Sequence, residues 1–391
     1  MTDLILRGGR VIDPGRGVDM IADVSFSGGK VEAIGPGLSV KPSTVVQDVS
    51  GKIVTPGLID LHAHVYWGGT SLGVDPGAVA AASGTTTLVD AGSAGPGNFH
   101  GFRRFVIEPA PVRVVAYLNL SYAGIYAFSR TVMVGEAQDL RLFDLNECVR
   151  VAEANRDLVV GIKVRVGRVA SGSMGAAPFE MAREVAEQVG LPLMAHLDHP
   201  PPNRHDILPR LRTGDVLTHC FRPFPGGPAL PRGGVRPEVL EARARGVIFD
   251  VGHGGGSFGF ASARAMLDAG FLPDTISSDV HVLSIVGLAP HVLDTMSKFV
   301  CLGMDLGDVI RCATVAPAQA INRPELGVLV PGGPGDATVI DIEDGDFVYR
   351  DAIGERLDGR KRLACRGMVV GGAWREAVPL PDLSGPPETW F

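Results

Sequence analysis

The sequence predicts an α/β protein: a (β/α)8 TIM barrel with a small β-sandwich domain built from both chain ends. Three observations predict it. Short apolar runs recur through the middle of the chain, each followed by a longer stretch of helical periodicity, and eight such βα units in a row favour a parallel barrel. Both chain ends instead alternate apolar and polar residues between Gly, Pro and Asp clusters, the pattern of antiparallel strands. No Gly-rich dinucleotide fingerprint follows the first core strand, which counts against a doubly wound sheet.

At the N-terminal end the strand runs are Leu4-Ile5-Leu6, Val11-Ile12, Ala22-Val24-Phe26 and Val31-Ala33-Ile34. Turns such as Asp13-Pro14-Gly15 and Ser27-Gly28-Gly29 separate them. The C-terminal end repeats the style with Ala337–Ile340, Phe347–Tyr349 and Met368–Val370. Each end is too small to bury a core alone, so residues 1–55 and 325–391 are expected to form one sheet domain around a barrel of residues 56–324. The barrel runs begin at Leu58, Thr86, Val112, Val159, Pro192, Val216, Val247 and Thr275. The clearest helix runs from Pro178 to Val189, where Phe179, Ala182, Val185, Ala186 and Val189 share a face. Pro178 suits its first turn and Gly190 its C-terminal cap. Gly84, Gly190, Gly214, Gly246 and Gly270 precede later strands, where each supplies a left-handed residue. After the eighth strand, helices around His291–Cys301 and Leu306–Ala320 lead back to the sheet domain.

The 391 residues carry a net charge of −7, with no basic footprint for nucleic acid or an anionic membrane. The five Cys are odd in number and scattered without a CxxC, which disfavours a disulfide framework or a structural zinc site. Neither a secretory apolar region nor a run of about 18 apolar residues is present, so a cytoplasmic location is expected.

His62-Ala63-His64 lies at the end of the first barrel strand. Residues two apart on a strand point to the same side, and the C-terminal ends of barrel strands carry active sites. Lys163, His196, His219 and Asp279 hold matching positions after strands four, five, six and eight. Neutral imidazoles and a carboxylate suit zinc or a similar divalent ion. An ammonium at Lys163 would be repelled by such an ion. Reaction of the neutral amine with CO2 would give an anionic carbamate able to bridge two cations.

Pro56-Gly57-Leu58-Ile59-Asp60-Leu61-His62-Ala63-His64 resembles the opening signature of the amidohydrolase superfamily. Gly327–Gly332 followed by Gly335–Ile340 resembles its return into the small β domain, and the match spans essentially the whole chain. The segments Gly161–Arg165, Thr218–Phe221 and Ser277–His281 are similar to a dihydroorotase-like branch, some of whose members deacetylate acylated hydroxy acids such as acetyl-(R)-mandelate. The resemblance implies two divalent metal ions, zinc foremost. It makes His62, His64 and Asp279 ligands of one ion, His196 and His219 ligands of the other, and carbamylated Lys163 their bridge. Asp279 would also be catalytic, relaying the proton of the attacking water.

Arg165 and His281 each lie two residues beyond a candidate ligand and are expected at the same mouth, Arg165 gripping a substrate carboxylate. His253, in the run Val251–Ser257, is a third candidate for substrate contact, and Arg222 a fourth. Cys220 is expected to be buried; His199 and His205 are expected near the entrance or exposed. The tail Pro379–Phe391 would either pack on a neighbouring subunit or stay disordered. Arg165 points to an acid and the branch resemblance to an acetyl group, so a hydrolase of a small acylated acid is expected, an O-acetyl hydroxy acid or N-acetyl amino acid, working as a homo-oligomer with no nucleic-acid or membrane partner. A cyclic amide or imide substrate is the main rival. A non-catalytic scaffold fits poorly with a full ligand set, and a mononuclear deaminase has no use for Lys163.

Overall fold

The computed structural model describes residues 3–223, 227–231, 233–385 and 390, so Phe391 of the tail lies outside the described residues. The N-terminal strands are β1 (Leu4–Asp13), β2 (Val18–Ser27), β3 (Lys30–Gly35), β4 (Val45–Asp48) and β5 (Ile53–Pro56). The middle of the chain supplies β6 (Leu58–Ala63), β7 (Thr85–Ala91), β8 (Arg113–Asn119) and β9 (Val159–Val166). It continues with β10 (Leu193–Leu197), β11 (Val216–Thr218) and β12 (Ile248–Phe249). The chain closes with β13 (Ala337–Arg350), β14 (Arg356–Val370) and β15 (Ala373–Glu376).

Strands from the two ends do share a sheet, in the order β15-β14-β13-β5-β1-β2-β3, with β4 paired to β1. It folds over its own core, because Val24, Phe26 and Val31 from one arm cluster with Val339 and Val369 from the other. Val31 N–H donates to Gly333 O (3.1 Å), which ties β3 to the lead-in of β13.

The second sheet runs β6 to β12 in sequence order, every neighbouring pair parallel. Its strands are buried on both faces, as a barrel requires. Ile59, Leu61, Val89, Val115, Tyr117, Val160, Met194 and Val216 fill the inside, while Leu58, Leu88, Val114 and Ile162 face the helices. The outer helix Ala177–Val189 buries the face read from its spacing and ends at Gly190, whose φ is +65°.

Residues 275–280 take the eighth place without forming a regular strand. Asp250 bridges to Thr275 on one side and Ala63 to Val280 on the other. His64 N–H donates to Val280 O (2.9 Å), so the ring closes. Buried carboxylates hold this segment: Thr275 and Ser277 hydroxyls donate to Asp250 (2.8 and 2.7 Å), and the Ser278 hydroxyl to Asp60 (2.5 Å).

The stretch Leu306–Ala320 departs from expectation. It forms two short helices, Leu306–Arg311 and Val315–Ala320, rather than one. The carbonyls at the break are diverted into the barrel, Cys312 O accepting from Ile276 N and Ala313 O from Ile59 N, both at 2.8 Å. Trp390 is buried and its Nε1–H donates to Gly385 O (2.7 Å), so this part of the tail folds back on its own chain. Among the described residues, no helix is long and apolar enough to cross a membrane.

Candidate metal centre

Two irregularities in the barrel strands aim the candidate residues. Along β6 the register shifts between Asp60 and Ala63. Leu61 faces the inner core while Ala63 joins the outer cluster, so the intervening bulge turns His62 and His64 toward the barrel mouth. Along β9 the pairing skips Val160, between Val159 and Gly161. Val160 faces inward, Ile162 and Val164 outward, and Lys163 and Arg165 are thereby left on the inner side. Both lie within β9, since the strand continues to Val166.

His62, His64 and Asp279 converge, with one potential ligand atom from each lying within 4.8 Å of the others. His62 Nε2 stands 3.3 Å and His64 Nε2 3.2 Å from the same oxygen, Asp279 Oδ1. The outer hydrogen bonds settle how the His62 ring presents itself. Thr218 Oγ1 donates its only proton to Asp250 Oδ2 (2.7 Å) and so must accept from His62 Nδ1–H (2.8 Å). The Nε2 lone pair of His62 therefore faces Asp279. His64 Nδ1 is held by Ser93 Oγ (2.9 Å), which lies in the turn closed by Ser93 N–H to Asp90 Oδ1 (2.7 Å). Thr218, Asp250, Ser93 and Asp90 went unread in the sequence because nothing local marks a partner that comes from another strand.

On the far side, the His219 ring lies 5.1 Å from that of His62 and 4.5 Å from that of His196, centre to centre. His219 Nδ1–H donates to Gly252 O (2.6 Å), which again leaves Nε2 free to coordinate. Lys163 is fully buried and its Nζ has no hydrogen-bond partner. Burial drives its pKa down, toward the neutral amine, and drives that of Asp279 up. The same loss of water holds His64 near a pKa of about 3 and keeps His62, His196 and His219 well below the ordinary imidazole value. Neutral imidazoles, two of them (His62 and His219) with the Nε2 lone pair left free, a carboxylate and an orphaned amine fit a divalent metal centre, the amine fitting once it carries an anionic group.

The candidate residues His62, His64, His196, His219 and Asp279 line a cavity of about 320 Å³, together with Arg165, Arg222, His281, Phe128 and His199. That is room for a small organic acid. His281 Nδ1 accepts from Leu283 N–H (3.1 Å), so a neutral His281 ring carries its proton on Nε2. His205 is exposed, near Glu238. Cys220 is buried, and burial pushes its thiol pKa up, away from reactivity.

Two expectations need correction. Arg165 reaches the cavity, but its Nε and Nη2 form a bidentate pair with Glu136 (2.7 and 2.6 Å), so its charge is already balanced and only the Nη1 side is left for a substrate. Glu136 lies in a long non-periodic loop and gave no signal in the sequence. His253 does not line the cavity wall. It is fully buried, stacked on Phe258 at 4.6 Å, with Nδ1–H on Gly254 O (2.9 Å) and Nε2 facing Lys298 Nζ (2.9 Å).

No family model matches the chain. A protein of Agrobacterium fabrum named a deacetylase is 35% identical over 350 residues, covering 89% of this chain and 85% of its own length. A deacetylase of Brucella anthropi is 36% identical over 343 residues, with 88% and 85% covered. A crystal structure described as a dihydroorotase matches with a TM-score of 0.88 and 33% identity, over 96% of this chain and 99% of that one. The chain belongs to the amidohydrolase superfamily. Another superfamily structure, described as an adenine deaminase, matches with a TM-score of 0.89 and 27% identity, over 96% and 100%. As a member of the amidohydrolase superfamily the protein is a hydrolytic enzyme acting on a small molecule.

Proposed function

We propose that the enzyme is a metal-dependent deacetylase of small acylated acids, cleaving the ester of an O-acetyl hydroxy acid or the amide of an N-acetyl amino acid. The observation that carries the metal-dependent part is the partnerless amine of Lys163, buried among inward-facing imidazoles. In this reading His62, His64 and Asp279 would hold one divalent ion and His196 and His219 a second, and a carbamate on Lys163 would supply an anionic ligand to the pair. Zinc suits such a nitrogen and oxygen donor set best. When bound, the ions supply Lewis acidity toward water and the acyl carbonyl. The deacetylase part draws on the relatives in Agrobacterium fabrum and Brucella anthropi.

The chain's own residues then have distinct tasks. An Asp279 carboxylate oxygen takes a proton from the attacking water and returns it to the leaving oxygen or nitrogen as the acyl bond breaks. His281, which also lines the cavity, offers its Nε2–H to the substrate. The enzyme is further proposed to work as a cytoplasmic homo-oligomer, which gel filtration of the purified chain tests directly.

The test is metal content per chain in protein purified without chelators, followed by acetate release from a panel of O-acetyl hydroxy acids and N-acetyl amino acids. Close to two ions and turnover of one class are expected. No ions, with none taken up when metal and bicarbonate are supplied, would overturn the reading. A cyclic amide or imide substrate is the second reading, favoured by the likeness to the dihydroorotase structure. Ring opening of dihydroorotate or a hydantoin without acetate release would establish it instead.

A further inference from the structure

We propose that Arg222 is the anion anchor of the cavity and grips the carboxylate of the substrate acid, a step that rests on the acylated-acid reading above and names the residue that selects for it. The backbone places this side chain firmly. His219 takes a left-handed φ of 66°, Arg222 N–H turns back to His219 O (3.3 Å), and Ser262 Oγ donates to Arg222 O (3.3 Å). The guanidinium is therefore delivered to the same wall as His196 and His219.

Its hydrogen bonds are left unfinished. Nη2 donates to Ser257 Oγ (2.8 Å) and stands 3.4 Å from His196 Nε2, while the buried Nε has no partner. The residue is only 8% exposed, and no carboxylate among the described residues pairs with it. The other deeply buried arginines are treated differently: Arg165 has Glu136 at 2.6 Å and Arg204 has Glu238 at 2.9 Å. Asp198, which also lines the cavity, already accepts from the backbone N–H groups of Val169 (3.3 Å) and Ala170 (2.8 Å).

An unpaired buried charge is strongly unfavourable, and the remedy is an anion with two parallel acceptors. A carboxylate entering the cavity would meet this guanidinium where it lines the wall and would supply the missing counter-charge. Arg165 has its charge balanced by Glu136, whereas Arg222 is the cavity-lining arginine that no carboxylate among the described residues pairs with. The proposed substrate therefore needs its free acid group at the Arg222 side of the mouth, and neutral acyl esters would bind poorly.

Acetate release is measured for O-acetyl-mandelate, O-acetyl-lactate and the carboxamide of each, with the wild-type enzyme, Arg222→Met and Arg222→Lys. Loss of a charged bidentate contact is expected to raise KM for the acid roughly 10- to 100-fold, with a smaller change in kcat. KM for the carboxamide should move less than about threefold. Calorimetric binding of the product acid, mandelate or lactate, should weaken in parallel. Arg222→Lys, which keeps the charge and loses the fork, should raise the acid's KM alone and decides the matter if Arg222→Met does not fold. Equal shifts for acid and carboxamide would overturn the assignment while leaving the deacetylase reading intact. Wild-type turnover of neither acetylated acid, with rings opened instead, would overturn both.

Discussion

Gly254→Ala isolates the close packing at Asp279 from every other feature of the site. A Cβ built at Gly254 would lie 2.1 Å from Asp279 Oδ2 and 2.9 Å from its Cγ, and the residue sits at φ +53°. A left-handed alanine costs about 1–2 kcal/mol on its own. Relieving the clash requires the carboxylate to retreat by about 1 Å, twice the roughly 0.5 Å that a preorganised site tolerates. Oδ1 would then leave the imidazole nitrogens of His62 and His64, now 3.3 and 3.2 Å away. A displacement of that size is expected to lower kcat/KM by on the order of 100-fold, with loss of metal from the His62 and His64 side. Gly256 is the internal control, since a Cβ there meets nothing within 4 Å and its φ lies outside the left-handed region. The assay compares kcat/KM, metal content and melting temperature for both variants. A Gly254→Ala enzyme within about twofold of wild type, or a Gly256→Ala enzyme that loses as much metal, would refute the reasoning.

Three further outcomes follow from the same geometry. Glu136→Gln leaves the buried Arg165 beside a neutral amide and should destabilise the fold by about 3–5 kcal/mol in chemical denaturation. A loss below about 1 kcal/mol, the size of an exposed pair, would show that this pair contributes little. Thr218→Val leaves His62 Nδ1–H without its partner and should weaken metal binding about 10- to 100-fold in competition with a chelator; unchanged affinity would detach Thr218 from the site. In metal-free protein the buried histidines stay neutral, His64 down to about 3, whereas in the unfolded chain they take up protons near pH 6.5. The unfolded state thus binds more protons below that pH, so stability should fall as pH drops through about 6.5, by up to about 1.4 kcal/mol per unit for each histidine. Equal denaturation midpoints at about pH 7.5 and about pH 5.5 would contradict this.

What the sequence shows of this molecule divides along a physical line. Strand runs buried on both faces are continuous and apolar, so Leu58, Thr86 and Val159 announced their strands, and the β11 and β12 runs were found although they pair over only a few residues. The Gly190 cap was legible because a left-handed residue after a periodic stretch is a local fact. The bulges in β6 and β9 were not, because they arise from pairing with a neighbouring strand rather than from composition. Nor was the fate of the two arginines. Arg165 and Arg222 read alike as cations near the mouth, and only the loop that brings in Glu136 distinguishes a satisfied one from an unsatisfied one. His253 shows the same limit, since its position after a barrel strand said nothing of the Lys298 that claims its ring.

Backbone strain adds an independent reason to regard this cluster as the working part of the molecule. Among the described residues, His219, Asp279 and Asn322 are the non-glycine residues with positive φ. Two of these three belong to the candidate centre. A left-handed conformation is unfavourable for a residue with a Cβ, and it persists where the surroundings enforce it. At Asp279 the enforcement is visible: its N–H donates to His62 O (2.6 Å), and the neighbouring Ser278 and Ser284 hydroxyls are tied to Asp60 and to the Asp279 carbonyl. At His219 the ring is held by Gly252 O and the chain is turned on toward Arg222. A regular strand would carry each of these side chains onward along the barrel wall; the left-handed turn folds it over the mouth instead. The strain is thus the geometric condition for bringing His219 and Asp279, from barrel positions separated by β12, to the same small volume as His62 and Lys163.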